Sequence, residues 1–201
     1  MASPRAARQD RAMRVYLAGP EVFLADADAV GAAKKAVCAA HGLTGVFPLD
    51  PHPEPEDAAL ETHRRIYRAN EAHIRSCDAL IANLTPFRSP SADAGTAYEL
   101  GFMRALGRPV LAYTNILRDF AGRTLTHLGP HLRRRPGGAW EDEQGMGIEE
   151  FGLADNLMLD GGVMEAGFAV ERQDVPEAQR WHDLAAFARC VRSLAATLGR
   201  G

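Results

Sequence analysis

The chain has 201 residues, 46% of them apolar and 24% charged, the proportions of a soluble globular protein long enough to bury a core without staples. A formal net charge of −3 gives no electrostatic case for nucleic acid or an acidic membrane as a partner. Cys38, Cys77 and Cys190 are too scattered for a metal site and too few for a disulfide framework, and no run approaches the length of a membrane span.

The polar, basic residues 1–13 read as a mobile N-terminal arm and not as a secretory signal, so a reducing, cytoplasmic setting is the expectation. Residues 14–201 read as one domain. "VYLAG" (15–19) is a short apolar strand stopped by Gly19-Pro20, and a helix is expected from about 25 to 41, ended by Gly42. "GVFPLD" (45–50) reads as a second strand. A proline-rich connection follows, with Pro55 suited to the first turn of a helix running from near 56 to 76.

"DALIANL" (78–84) is a near-continuous apolar strand, the pattern of a strand covered on both faces. After the turn-rich "TPFRSPSADAG" a further helix is predicted, closed by Gly107, and "RPVLAYT" (108–114) is the next strand. Between 115 and 147 the pattern breaks into a long, glycine-rich, charged stretch whose Arg133-Arg134-Arg135 reads as a solvated loop. Periodicity returns in "GIEEFGLADNLMLDGGVM" and in a final helix from about 176 to 198. Strand and helix alternate with short connections, which favours a parallel sheet layered by helices.

One helix poses a chemical question. Glu99 shares its stripe with Phe102, Met103 and Leu106, a stripe that should face a core. A carboxylate there is costly unless it is hydrogen-bonded, escapes to solvent, or performs chemistry. In open parallel sheets ligands bind beyond the carboxyl ends of the strands, where Tyr16, Phe23 and Asp93 also fall. Each has a plainer account: Tyr16 as a strand aromatic, Phe23 as core, and Asp93 as a helix N-cap.

"VYLAGP", "NEAHIRSCDALIANLTPFRSPSADAGTAYELGFMRALGRPV" and "LADNLMLDG" together resemble the nucleoside 2-deoxyribosyltransferase family, over roughly residues 15–161. The order Asp-x-Gly-x-x-x-Glu-Leu-Gly, from Asp93 to Gly101, is much more specific than any lone glycine pattern. The resemblance implies a flavodoxin-like three-layer α/β sandwich with a central parallel sheet. It implies that Glu99 is the nucleophile, that Tyr16 orients it, and that Asp93 contacts the nucleobase. Gly19 and Phe23 beside the first strand go with them as substrate-binding positions. Asn70 stands where some members hold the sugar hydroxyls with an aspartate, and Glu71 lies beside it. Asn156 matches an asparagine lent by a neighbouring subunit, so a homo-oligomer with shared sites is expected.

The activity so implied is exchange of the base of a 2′-deoxynucleoside through a covalent glutamyl-sugar ester, with nucleosides and free nucleobases as partners. A hydrolytic nucleoside 5′-monophosphate N-glycosidase on the same fold is the alternative. Related glycosidases carry serine where this chain has Asp93, and an aspartate would repel a phosphate dianion, although Ser89 and Ser91 offer hydroxyls to an anion. A non-catalytic nucleotide sensor is the third reading, with loss of the nucleophile as its signature. No metal or cofactor is called for, since His41, His52, His63, His73, His127, His131 and His182 make no ligand spacing.

Overall fold

A computed structural model describes residues 11–51 and 60–198. Of four strands, β1 (Arg14–Ala18) and β2 (Thr44–Val46) each begin one residue before the run read as a strand, β2 stopping well short of 50, while β3 (Ala79–Asn83) and β4 (Val110–Thr114) lie inside theirs. A fifth, β7 (Glu171–Arg172), completes the sheet after the intervening hairpin of β5 (Leu132–Arg134) and β6 (Trp140–Asp142). The sheet order is β2-β1-β3-β4-β7 and every pairing in it is parallel. Counting sheet strands alone this is the 2-1-3-4-5 order of flavodoxin-like folds, whose order reverses between the first strand and the third.

Alternation along the strands divides the core in two. Val15 and Leu17 point with Ala79, Ile81, Leu111 and Tyr113 toward α1 (Ala27–Ala39) and α6 (Ala185–Leu198). Tyr16 and Ala18 point with Leu80, Ala82, Val110 and Ala112 toward α2 (Thr62–Ser76), α3 (Ala94–Ala105) and α5 (Leu157–Met164). Strands covered on both faces need apolar residues at every position, and β1, β3 and β4 are buried almost throughout. The result is the expected three-layer sandwich.

Several boundaries differ from the sequence reading. Helix α2 begins at Thr62, well after the expected start, while Pro55 and residues 56–59 lie outside the described residues, as do residues 1–10 of the arm. Of that arm's remainder, Arg11 pairs with Asp78 at 2.8 Å and Met13 packs on the α1–α6 side of the core. The stretch read as an unstructured break holds α4 (Phe120–Leu128), capped by Asp119 accepting from Gly122 N at 2.9 Å, and the β5–β6 hairpin. Its three arginines are not a free loop. Arg133 and Arg135 both pair with Glu141, at 2.6 and 2.5 Å, and Arg134 lies over the Trp140 ring at 3.9 Å. The final helix starts at Ala185, after a short 3-10 turn (Glu177–Gln179).

An ion pair is buried between the first strand's exit and α1. Glu21 and Lys34 are both 0% exposed. Glu21 Oε1 accepts from Lys34 Nζ, from Asn83 Nδ2 at 2.8 Å and from Tyr113 Oη at 3.0 Å, so one oxygen ties the ends of β1, β3 and β4 to α1. Lys34 also sits within 5.5 Å of the Tyr113 ring centre and 5.4 Å of that of Phe187. Removing one member of such a pair strands the other charge in a low-dielectric interior. Lys34→Met is therefore expected to lower the unfolding free energy by about 3–5 kcal/mol in a urea titration, a loss no exposed lysine would give.

Candidate active site

The loops after β1 and β3 leave the sheet at the point where strand order reverses, and a cavity opens there. Its volume is about 610 Å³, within the usual span of small-molecule sites. Gly19, Phe23, Asn70, Asp93 and Glu99, five of the seven residues singled out in the sequence, line it. Tyr16 is wholly buried beneath, and its hydroxyl donates to Glu99 Oε1 at 2.7 Å. Asn156 is not among the lining residues.

Glu99 reaches this position because α3 is pinned by its other face. Leu100 and Met103 are buried against the sheet, with Phe102 and Leu106 half-buried beside them. Glu99, between them, is half-buried and turned to Tyr16 at the cavity wall. Burial holds the Glu99 carboxyl up at about 7; the Tyr16 hydroxyl pulls it down only in part, and the nearby Asp93 charge pushes it up. Burial and the neighbouring carboxylate raise the Tyr16 phenol far above its ordinary range, so it remains a donor at every physiological pH.

Asp93 is the α3 N-cap, as its position suggested: Oδ2 accepts from Thr96 N at 2.9 Å and from Thr96 Oγ1 at 3.3 Å. Among the described residues Oδ1 takes no hydrogen bond, while the side chain lines the cavity, so one oxygen caps and the other is left unbonded. Phe23 is 59% exposed, not core; it stacks on Phe87 with ring centres 5.3 Å apart, and the Arg88 guanidinium lies 4.5 Å from the Phe87 ring centre. Gly19 has no room for a side chain, since a Cβ there would stand 2.0 Å from Glu21 Oε2.

Asn70 faces the cavity from α2, while Glu71 turns away, accepting from the hydroxyls of Tyr67 at 2.6 Å and Tyr98 at 2.7 Å. These two donors hold the Glu71 carboxyl below its ordinary range. Asn156 caps α5, its Oδ1 accepting from Met158 N at 3.0 Å and its Nδ2 donating to Glu149 at 2.7 Å. The sequence reading missed the α2 wall, where Thr62, Arg65, Ile66 and Ala69 join Asn70. Their spacing of three and four residues puts them on one helical face, a signal already present within the helix read from near 56 to 76. Among the described residues no group of three His, Cys, Asp or Glu could hold a metal ion, and no helix is long and apolar enough to cross a membrane.

A carboxylate supported by a phenol, at the switch point of a flavodoxin-like sheet, lines a cavity of small-molecule size in an α/β protein. The family profile for nucleoside 2-deoxyribosyltransferases matches residues 15–158, and the chain belongs to that family, whose members act on nucleosides and nucleobases. An uncharacterized protein of Schizosaccharomyces pombe is 31% identical over 196 residues, covering 92% of this chain and 89% of that protein. The solved structure of a 2-deoxyribosyltransferase from Leishmania mexicana is 30% identical, with a TM-score of 0.58, over 90% of this chain and 97% of that one. A conserved protein from Enterococcus faecalis V583 shares the fold at 18% identity and a TM-score of 0.53, over 91% of this chain and 99% of its own.

The raised Glu99 carboxyl has a cost in stability. A folded-state value near 7 against an ordinary 4.5 means that the native state holds a proton the unfolded chain has released. Stability contributed by this group is full below the ordinary value and is lost as pH rises through about 7. Glu99→Gln removes the titration and keeps an acceptor for Tyr16. It is expected to be more stable than the wild type at pH 8, by on the order of 3 kcal/mol, and so to melt at a higher temperature, with the difference vanishing toward pH 4. Thermal melts across that range check it.

Proposed function

We propose that the protein transfers a 2-deoxyribosyl group between nucleobases by double displacement at Glu99. The observation that carries this reading is the half-buried Glu99 carboxylate, held by Tyr16 at 2.7 Å and facing the cavity. Glu99 attacks C1′ of the donor, the bond from C1′ to the base nitrogen breaks, and its electron pair leaves with the base, which takes a proton on the Asp93 side. A nitrogen of the second base then attacks C1′, the ester bond to Glu99 breaks with its electron pair returning to the carboxylate, and this base gives up its N–H proton on the Asp93 side, so the proton count closes and two inversions give net retention. Substitution at an anomeric carbon passes through an oxocarbenium-like state, which an adjacent carboxylate stabilises before it bonds.

Family membership and the cavity together support a nucleoside as the ligand. Two features favour an unphosphorylated nucleoside over a 5′-monophosphate. Asp93 keeps a carboxylate oxygen available at the cavity, where a dianion would be repelled. The hydroxyls of Ser89 and Ser91, the residues with which an anion could have been held, donate inward to Ser91 O and to Asp155. Asn70 suits the sugar hydroxyls, because an amide both donates and accepts. Phe23 suits an aromatic base, with its exposed ring at the cavity rim.

Asn156 is away from the cavity of its own chain, which fits a homo-oligomer in which it serves a neighbouring site. The helical layer around the site carries exposed Tyr67, Tyr98, Leu157, Met158 and Met164, apolar surface suited to a second copy. Light scattering is expected to report more than one chain, and a fully active monomer would overturn the shared site.

The test of the chemistry is incubation with each natural 2′-deoxynucleoside, or its 5′-monophosphate, together with a second free base, with products followed by chromatography. New deoxynucleoside is expected from the nucleoside donors; free base without transfer, from the monophosphates alone, would instead establish the hydrolytic reading. Glu99→Ala is expected to abolish turnover in a folded protein. Tyr16→Phe should cost about ten- to a hundredfold, the worth of a hydrogen bond to a charged group. Because the nucleophile acts ionised, kcat/KM should rise with pH through about 7. In Tyr16→Phe that limb moves to higher pH, since the lost hydroxyl had been lowering the Glu99 value.

A further inference from the structure

The loop from β3 to α3 delivers Asp93 to the cavity, and Ser89 and Ser91 bond each other within it, through Ser89 Oγ to Ser91 O and Ser91 N to Ser89 Oγ, both at 3.1 Å. Phe87 N donates to Ser91 O at 3.0 Å, and Arg88 adopts a positive φ of 55°. Its last residues before Asp93 are gripped from outside. Asp155, 0% exposed, accepts from Ala92 N at 2.9 Å and from the Ser91 hydroxyl. Arg123, 8% exposed, donates from Nε to Pro90 O at 2.8 Å and from Nη2 to Asp155 at 3.2 Å. Its remaining bonds, Nη1 to Arg118 O at 2.6 Å and Nη2 to Ala154 O at 2.7 Å, anchor the guanidinium to two other loops. The two peptides leading into Asp155 are fixed in turn by Asp160, which accepts from Ala154 N at 2.9 Å and from Asp155 N at 2.8 Å.

We infer that Asp155 and Arg123 are positioning residues that set Asp93 in the cavity by clamping residues 90–92. The inference rests on the reading of Asp93 given under Proposed function. The clamp is charged and buried, so it is rigid only while both partners are present: each charge compensates the other, and each also bonds the loop, Arg123 through Pro90 O and Asp155 through Ala92 N and the Ser91 hydroxyl. Asp155 also accepts from the N–H of Asn156 at 2.8 Å, so the same carboxylate fixes the start of α5. A single buried acid thereby sets two residues that the family resemblance assigns to substrate binding. Nothing in the cavity touches Asp155 or Arg123, which are absent from its lining, and their effect on the reaction runs through the residues they hold.

A double-mutant cycle separates positioning from general structural support. Asp155→Asn keeps the volume but offers Arg123 and Ala92 N one acceptor fewer. With Asp93 present it is expected to reduce kcat/KM for deoxyribosyl exchange about tenfold; in the Asp93→Ala background the further loss should be less than about twofold, because the group it positions is already gone. Equal losses in the two backgrounds would overturn the inference, as would no loss in either. If Asp155→Asn does not fold, Ser91→Ala, which removes one contact of the clamp, enters the same cycle and the same non-additivity is required. Asp93→Ala that leaves exchange intact would remove the reading of Asp93 itself. A large Asp93→Ala loss beside an additive Asp155 effect would remove the positioning role alone.

Discussion

A single hydrogen bond joins the sheet to the helix above it where the site lies: the buried Tyr16 hydroxyl donating to Glu99 at 2.7 Å. Its two ends are fixed independently. Tyr16 sits in β1, flanked by β2 and β3 in parallel register with Val46 and Leu80, and Glu99 sits on a helix whose Leu100 and Met103 are locked in the core. Neither side chain has freedom to seek another partner. Desolvation pushes the carboxyl up and the phenol pulls it part of the way back, leaving an acid poised near neutrality. An exposed glutamate would ionise readily and serve as a weak, solvated nucleophile; one buried without a donor would stay protonated.

The surroundings of that bond are held by buried charge rather than by apolar packing alone. On the α1 side, Glu21 and Lys34 close the exit of β1, and the carboxylate occupies the space a side chain at position 19 would need. On the α5 side, Asp155 and Arg123 grip the exit of β3. Loops at strand ends have few neighbours to pack against, so directional bonds from buried ions define them where a hydrophobic contact would leave latitude. The two clamps stand at the ends of the two strands between which the sheet order reverses.

Legibility in the sequence followed the length of each signal. β1, β3 and β4 are apolar but for Arg14, Asn83 and Thr114 at their ends and were evident, and Gly107, with its φ of 68°, marked the end of α3. β7 has two residues, Glu171 and Arg172, and owes its place to pairing with β4 rather than to any pattern of its own. Helix α4 did carry its boundary signals, Asp119 before it and Gly129 after it, but they were submerged in a glycine-rich surround. Glu99 stood out as a charge on an apolar stripe; that its partner lay 83 residues earlier came from the family likeness and not from spacing. The pairs Glu21–Lys34 and Arg123–Asp155 left no trace, because a buried ion pair and two surface charges look alike in a string of letters.

The rims of the sheet bear on how such a molecule meets another. Its outermost strands, β2 and β7, contribute three residues and two. So brief a fringe of open amides and carbonyls is a poor template for an incoming strand. Side chains of the outer helices are better suited to pair two copies, and substitutions there can tune such a contact without touching the backbone ladder that carries Tyr16.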